Sequence, residues 1–121
     1  ALYHAAAVVA CNYLSGLMDA ALALAGQAGI DRRTAWPALE PLVRATMENI
    51  AAEGPAAALT GPIARGDAAT VQRHLDALAG GDDDLLELYR AAGRWTVQLA
   101  RRKGALAPEE AEKLRCLLAS R

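Results

Sequence analysis

Apolar residues recur along this chain at steps of three and four, the spacing of one helix face, and short glycine-, proline- or aspartate-rich breaks separate the runs. The first run, residues 2 to 28, is apolar on nearly every side and closes at Gly29 as a C-terminal cap, with Ile30 and Asp31 beginning the turn. At about 1.5 Å per residue it predicts a helix roughly 40 Å long, the span of a whole small domain, and hence a central one. A second helix is predicted from near Pro37, a residue welcome in a first turn, to about Glu53, with Leu39, Leu42, Val43, Thr46, Met47 and Ile50 on one face. Gly54-Pro55 ends it. A third runs from Ala68, capped by Asp67, to Ala79 and stops at Gly80-Gly81. Asp82, Asp83 and Asp84 cap a fourth and place negative charge at its start; it reaches about Lys103 before Gly104. Its predicted apolar stripe is Leu85, Leu88, Tyr89, Ala92, Trp95, Thr96 and Leu99. Pro108, Glu109 and Glu110 open a fifth helix. No segment alternates apolar and polar residues long enough for a strand. The prediction is an all-α fold of about five helices around the long N-terminal one.

Composition narrows this picture. A length of 121 residues, 54% of them hydrophobic and 22% charged, suits one domain with one core. Phenylalanine is absent, so close packing of alanine and leucine has to supply the buried area. With 13 basic and 14 acidic residues no positive excess exists to neutralise a phosphate backbone, and nucleic acid is not an expected partner. Cys11 and Cys116 lack metal-ligand spacing and read as two buried thiols in a reducing cytoplasm. Residues 5 to 26 are long enough to span a bilayer, but Asn12, Ser15 and Asp19 lie inside the stretch, and no membrane partner is expected. Neither a basic leader nor a processing site precedes it. Ala1 is not methionine and the helical pattern is already running there without a cap, which suggests a chain cut from a longer protein.

Candidate chemistry concentrates in two places. On a straight helical wheel, His4, Cys11, Asn12, Ser15 and Asp19 fall within roughly one 100° sector of the first helix, with Val8 among them. The stripe faces solvent, buried partners or a ligand cleft. A solvated face normally carries lysine, glutamate and arginine, and this helix has none from Ala1 through Ile30. In a cleft, His4 is the candidate acid, base or hydrogen-bond donor, because imidazole exchanges protons near neutral pH. Asn12, two turns on, would orient a substrate oxygen. The second place is "LTGPIARGD", residues 59 to 67. Thr60-Gly61-Pro62 suits a single helical turn capped by Thr60, and Gly66-Asp67 a turn and cap. Arg65 is left over, a five-donor fork suited to carboxylate or phosphate. The Arg-Gly-Asp tripeptide reads as coincidence in a chain without a secretion signal. His4 and His74 have no metal-ligand companions, and no nucleotide-binding motif occurs.

"YHAAAVVACNYL" (3 to 14), "LEPLVRATMENI" (39 to 50), "GPAAALTGPIARGD" (54 to 67), "VQRHLDAL" (71 to 78) and "LYRAAGRWTVQLA" (88 to 100) follow one another in this order. The arrangement resembles the helical domain called domain of unknown function 2520, which in bacterial proteins follows an N-terminal Rossmann-like NADP-binding domain. That family is similar to the 6-phosphogluconate dehydrogenase-like C-terminal domains, which include those of ketopantoate reductase and pyrroline-carboxylate reductase. The resemblance implies a helical domain that closes a substrate cleft over a nicotinamide and forms a homodimer. It implies His4 and Asn12 as catalytic residues, and Ser15, Thr60 and Arg65 as substrate-binding ones. Relatives often carry a lysine on this helix with an asparagine four residues later; here His4 and Asn12 are eight apart and Val8 lies between them. The reading that competes with a reductase half is a non-catalytic helical interaction module.

Overall fold

The computed structural model describes residues 1–120, which fold as six helices with no strand among them. They belong to two compact units, Ala1–Ala45 and Thr46–Arg121. Helix α1 runs without a break over Leu2–Gln27, α2 over Arg32–Glu53 and α3 over Pro55–Ala58. Then follow α4 (Ala68–Leu78), α5 (Asp83–Lys103) and α6 (Pro108–Leu117).

In the first unit α1 ends as its sequence predicts. Gly29 takes φ 89°, its amide donates to Gly26 O, and the amide of Ile30 donates to Ala25 O at 2.9 Å. Helix α2 begins five residues before Pro37. Asp31 Oδ1 accepts the amide of Thr34 at 2.9 Å, an N-cap that satisfies a first-turn donor and starts the helix early. Pro37 and Pro41 therefore lie inside it, each leaving out one backbone hydrogen bond. Arg32 Nη2 donates to Asp19 Oδ1 at 2.9 Å and ties the start of α2 to α1.

The long first helix is present, but it is not the centre of a core. No residue of Leu2–Gln27 is buried, and Leu2, Tyr3, Val9 and Tyr13 are each 60% or more exposed. Ala35, 3% exposed, is the buried residue of this unit. Helix α1 is apolar on nearly every side, the pattern of a helix that partners cover, whereas the helices after residue 67 turn apolar stripes to a shared core. Cys11 and Cys116 are exposed rather than buried, the latter with its thiol 3.6 Å from Glu112 Oε1.

The core belongs to the second unit. Val71 and Leu75 of α4, Val97 and Ala100 of α5, Leu106, and Ala111, Leu114 and Leu118 of α6 and its end pack as one buried cluster, with Leu59, Ile63, Leu86 and Tyr89 against its edge. The inward seam of α5 is Leu86, Tyr89, Gly93, Val97 and Ala100, about one residue round from the predicted stripe; Trp95 is 63% and Leu88 39% exposed. Gly93 sets this rotation. A Cβ there would lie 2.9 Å from Leu118 Cδ2, so the bare backbone admits a leucine that a bulkier residue would exclude. Leu118 is held further by its carbonyl, which accepts Arg94 Nη1 at 2.7 Å.

The caps stand where the sequence placed them. Asp67 accepts from the Thr70 amide at 3.1 Å and the Thr70 hydroxyl at 2.7 Å, and Asp82 from the amides of Asp84 and Leu85. Glu110 Oε1 reaches back to the Ala107 amide at 3.0 Å, and Pro108 opens α6. Gly66 turns the chain at φ 68°, where an added Cβ would sit 2.5 Å from Glu110 Oε2. The Gly66→Ala variant is therefore expected to lose about 2 kcal/mol, from left-handed strain and the displaced Glu110 cap. A urea titration followed by far-ultraviolet circular dichroism checks this; an unchanged midpoint would contradict the close approach.

Two carboxylates of this unit sit below their ordinary range. The Thr70 side-chain and backbone hydrogen bonds lower Asp67, with the charges of Arg65 and Arg73 adding to them. For Glu87 the hydrogen bond from the Ser120 hydroxyl comes first, then that from Arg94. A carboxylate whose folded pKa is depressed contributes stability that is fully present above its unfolded value, here 3.8 and 4.5, and lost as pH falls through the lower folded value. The melting temperature is thus expected to be insensitive to these groups near neutrality and to fall below about pH 4. The Asp67→Asn variant should flatten that acid limb in thermal melts taken across pH 2 to 7, roughly the carboxylate range; a limb of unchanged slope would remove the assignment.

Candidate functional site

The hydrogen-bond ladder of α1 changes register between Val8 and Asn12. Over those residues the helix is π, and the Tyr13 amide donates to Val8 O, five residues back instead of four. One extra residue is thereby taken into a single turn. In an unbroken α-helix the eight positions from His4 to Asn12 would leave the two side chains about 80° apart; removing one residue's rotation brings them to roughly 20°. Asp19 then lies about 40° from His4 and Ser15 about 80°. The order within the stripe is thus changed from the straight-wheel reading: Asn12 becomes the neighbour of His4, and Ser15 moves to the edge.

His4, Asn12 and Ser15 are all exposed, and none has a side-chain hydrogen-bond partner among the described residues. Asp19 does, in Arg32, which accounts for its place on the helix structurally. His4 and Asn12 are about 11 Å apart along the axis. They are too far apart to bind one oxygen together, and each would meet a different part of a ligand laid along the stripe. Such free donors and acceptors on an otherwise apolar helix are what an orienting surface for a small polar molecule requires.

Thr60 and Arg65 belong to the other unit. Their segment makes one helix-like turn in which the Arg65 amide donates to Gly61 O at 3.2 Å and the Asp67 amide to Pro62 O at 2.8 Å. Gly61, at φ 96°, supplies the closing carbonyl, and Thr60 stands exposed just before it instead of capping the turn. Arg65 is exposed, and its charge contributes to holding Asp67 ionised. The turn and caps account for most of "LTGPIARGD"; the guanidinium itself remains open to a ligand. Ile63 and Ala64, by contrast, pack inward.

A groove of about 510 Å³ in the second unit is lined by Gln98, Arg101 and Arg102 of α5 and Arg115 of α6. Nothing in the helical pattern pointed to it. The Arg101-Arg102 pair was visible as a basic helix end, but the approach of Arg115 is a product of how α5 and α6 pack. Among the described residues no three histidine, cysteine or acidic side chains come together as metal ligands.

α1 is also long and apolar enough, by length and composition, to cross a membrane, and none of it is buried. Its open apolar flank and its open polar stripe have to be explained together. No curated protein and no solved structure matches the chain. The model of one family does, over residues 1–96, from the start of α1 to the middle of α5 and through both the π turn and the 59–67 segment. The chain belongs to the family described as Domain of unknown function (DUF2520).

Proposed function

We propose that this chain is the substrate-closing and dimer-forming helical part of a bacterial, cytoplasmic NAD(P)-dependent oxidoreductase acting on a small carbonyl or imine compound. The observation that carries the reading is the π turn of α1. It brings His4 and Asn12 from about 80° apart to nearly one face and leaves both without partners. Single π turns inside α-helices recur at functional sites, because the local cost of the misaligned ladder persists where the altered register is needed.

The residues present suit one side of such a site. His4 and Asn12 are short hydrogen-bonding groups on an apolar helix, as a substrate carbonyl or imine requires, and Ser15 extends the line. No phosphate-cradling loop accompanies them, so the dinucleotide is assigned to a preceding nucleotide-binding domain of the longer protein. NADPH, when bound, supplies the hydride. His4 holds the substrate oxygen or nitrogen by a hydrogen bond and donates the proton that the reduced product keeps. Asn12 orients the far end of the substrate. The apolar flank of α1 and the exposed Leu42 of α2 are the surfaces assigned to a homodimer.

The test uses the chain both alone and joined to its nucleotide-binding domain. Alone, it is expected to show no NADPH oxidation with any small carbonyl or imine; turnover by the isolated chain would contradict the division of labour. The joined protein is expected to oxidise NADPH with at least one such compound. If it does not, and the isolated chain still self-associates, the non-catalytic interaction module replaces the reductase reading.

A further inference from the structure

The groove between α5 and α6 presents three guanidinium groups and no carboxylate on its lining. The side chains of Arg101 and Arg102 have no ion pair or hydrogen bond among the described residues. Arg115 has only Glu112, whose Oε2 is 3.8 Å from Nη1, beyond hydrogen-bond distance, while its Nε is buried without a partner. The neighbouring Lys103 behaves differently: its ammonium is engaged within the fold, donating to Ala57 O and Leu59 O. Basic residues in the last turn of a helix complement its dipole, which accounts for one charge at each helix end. It does not account for three side chains from two helices opening onto one groove. Each guanidinium offers five donors in a planar fork that matches the oxygens of an anion. The whole chain carries a net charge of -1, which makes this a local concentration and not part of a basic protein.

We propose that this groove binds a small phosphate-bearing compound. Arg101 and Arg102 contact the phosphoryl oxygens from one side and Arg115 from the other, and the Gln98 amide reads an adjoining hydroxyl or carbonyl. Its volume is in the range of small-molecule sites. A phosphate group, with about two negative charges and three acceptor oxygens, uses the three forks more fully than a single carboxylate does. The site lies beyond residue 96, where the family match ends, and it is independent of the reductase reading.

Isothermal titration of the chain with inorganic pyrophosphate at low salt, with far-ultraviolet circular dichroism on every variant, tests it. The expected result is saturable 1:1 binding that weakens with salt and falls about tenfold or more in the double variant Arg101→Ala/Arg102→Ala and in Arg115→Ala. Arg73→Ala, on α4, should leave it unchanged. If Arg115→Ala does not fold, the double variant decides, because both its side chains are exposed. Absence of saturation, equal affinity in the double variant, or binding to phosphatidylserine vesicles without binding to pyrophosphate would each overturn the proposal.

Discussion

Replacing Leu114 with alanine is expected to remove about 3 kcal/mol from the stability of the unit Thr46–Arg121, the largest single loss in this fold. Leu114 is fully buried on α6, among Val71, Leu75, Val97, Ala100 and Leu118. Three methylene-equivalent groups would leave that cluster. Both the lost transfer free energy and the residual cavity then count. A unit of this size has roughly 4–11 kcal/mol in total, so the variant keeps a folded state with a narrow margin. Urea unfolding followed by circular dichroism reads the change. A loss below about 1 kcal/mol would mean that α6 does not pack as described.

The second large effect is on activity. In the longer reductase proposed to carry this chain, His4→Ala is expected to lower kcat/KM by roughly 10²- to 10⁴-fold, the usual contribution of a positioned proton donor. Asn12→Ala should act mainly on KM, because about 11 Å separates it from His4 and it meets another part of the substrate. Asp19→Ala, whose carboxylate is engaged by Arg32, should leave both constants near their original values. Steady-state kinetics on the three variants distinguishes a site from a surface. Unchanged turnover in His4→Ala would remove the catalytic role, and equal small effects at all three positions would mark the stripe as structural.

The legible parts of this fold are those where one residue decides a local geometry. Asp67, Asp82, Gly29 and Gly104 mark helix ends in the sequence, and the structure uses each of them, because a cap or a left-handed turn involves only its immediate neighbours. Asp31 had the same chemistry but was hidden by Pro37, whose stronger start signal placed α2 five residues late. The stripe of α5 was misplaced for another reason. Side-chain size pointed to Trp95 and Leu88, whereas the packed face is centred on Gly93, whose lack of a side chain is what admits Leu118.

The candidate site divides in the same way. Residue types singled out His4, Asn12 and Arg65, the family resemblance added substrate-binding roles for Ser15, Thr60 and Arg65, and none of the five lies buried in the core. Their angular order could not be read from spacing, since a wheel assumes 100° per residue and the π turn at Val8–Asn12 breaks that rule. The arginine groove was less legible still: Arg101 and Arg115 are far apart in sequence and meet only through the packing of two helices.

By itself, then, the sequence determined an all-α chain, the places where its helices stop, and the family signature over its first 96 residues, all of them consequences of short-range backbone preference and residue order. Tertiary structure alone decided which helices build the core, that α1 stays open along its length, and which side chains converge on a groove. Those outcomes depend on the sum of many weak contacts between segments remote in sequence, and periodicity within one helix carries no record of its partner.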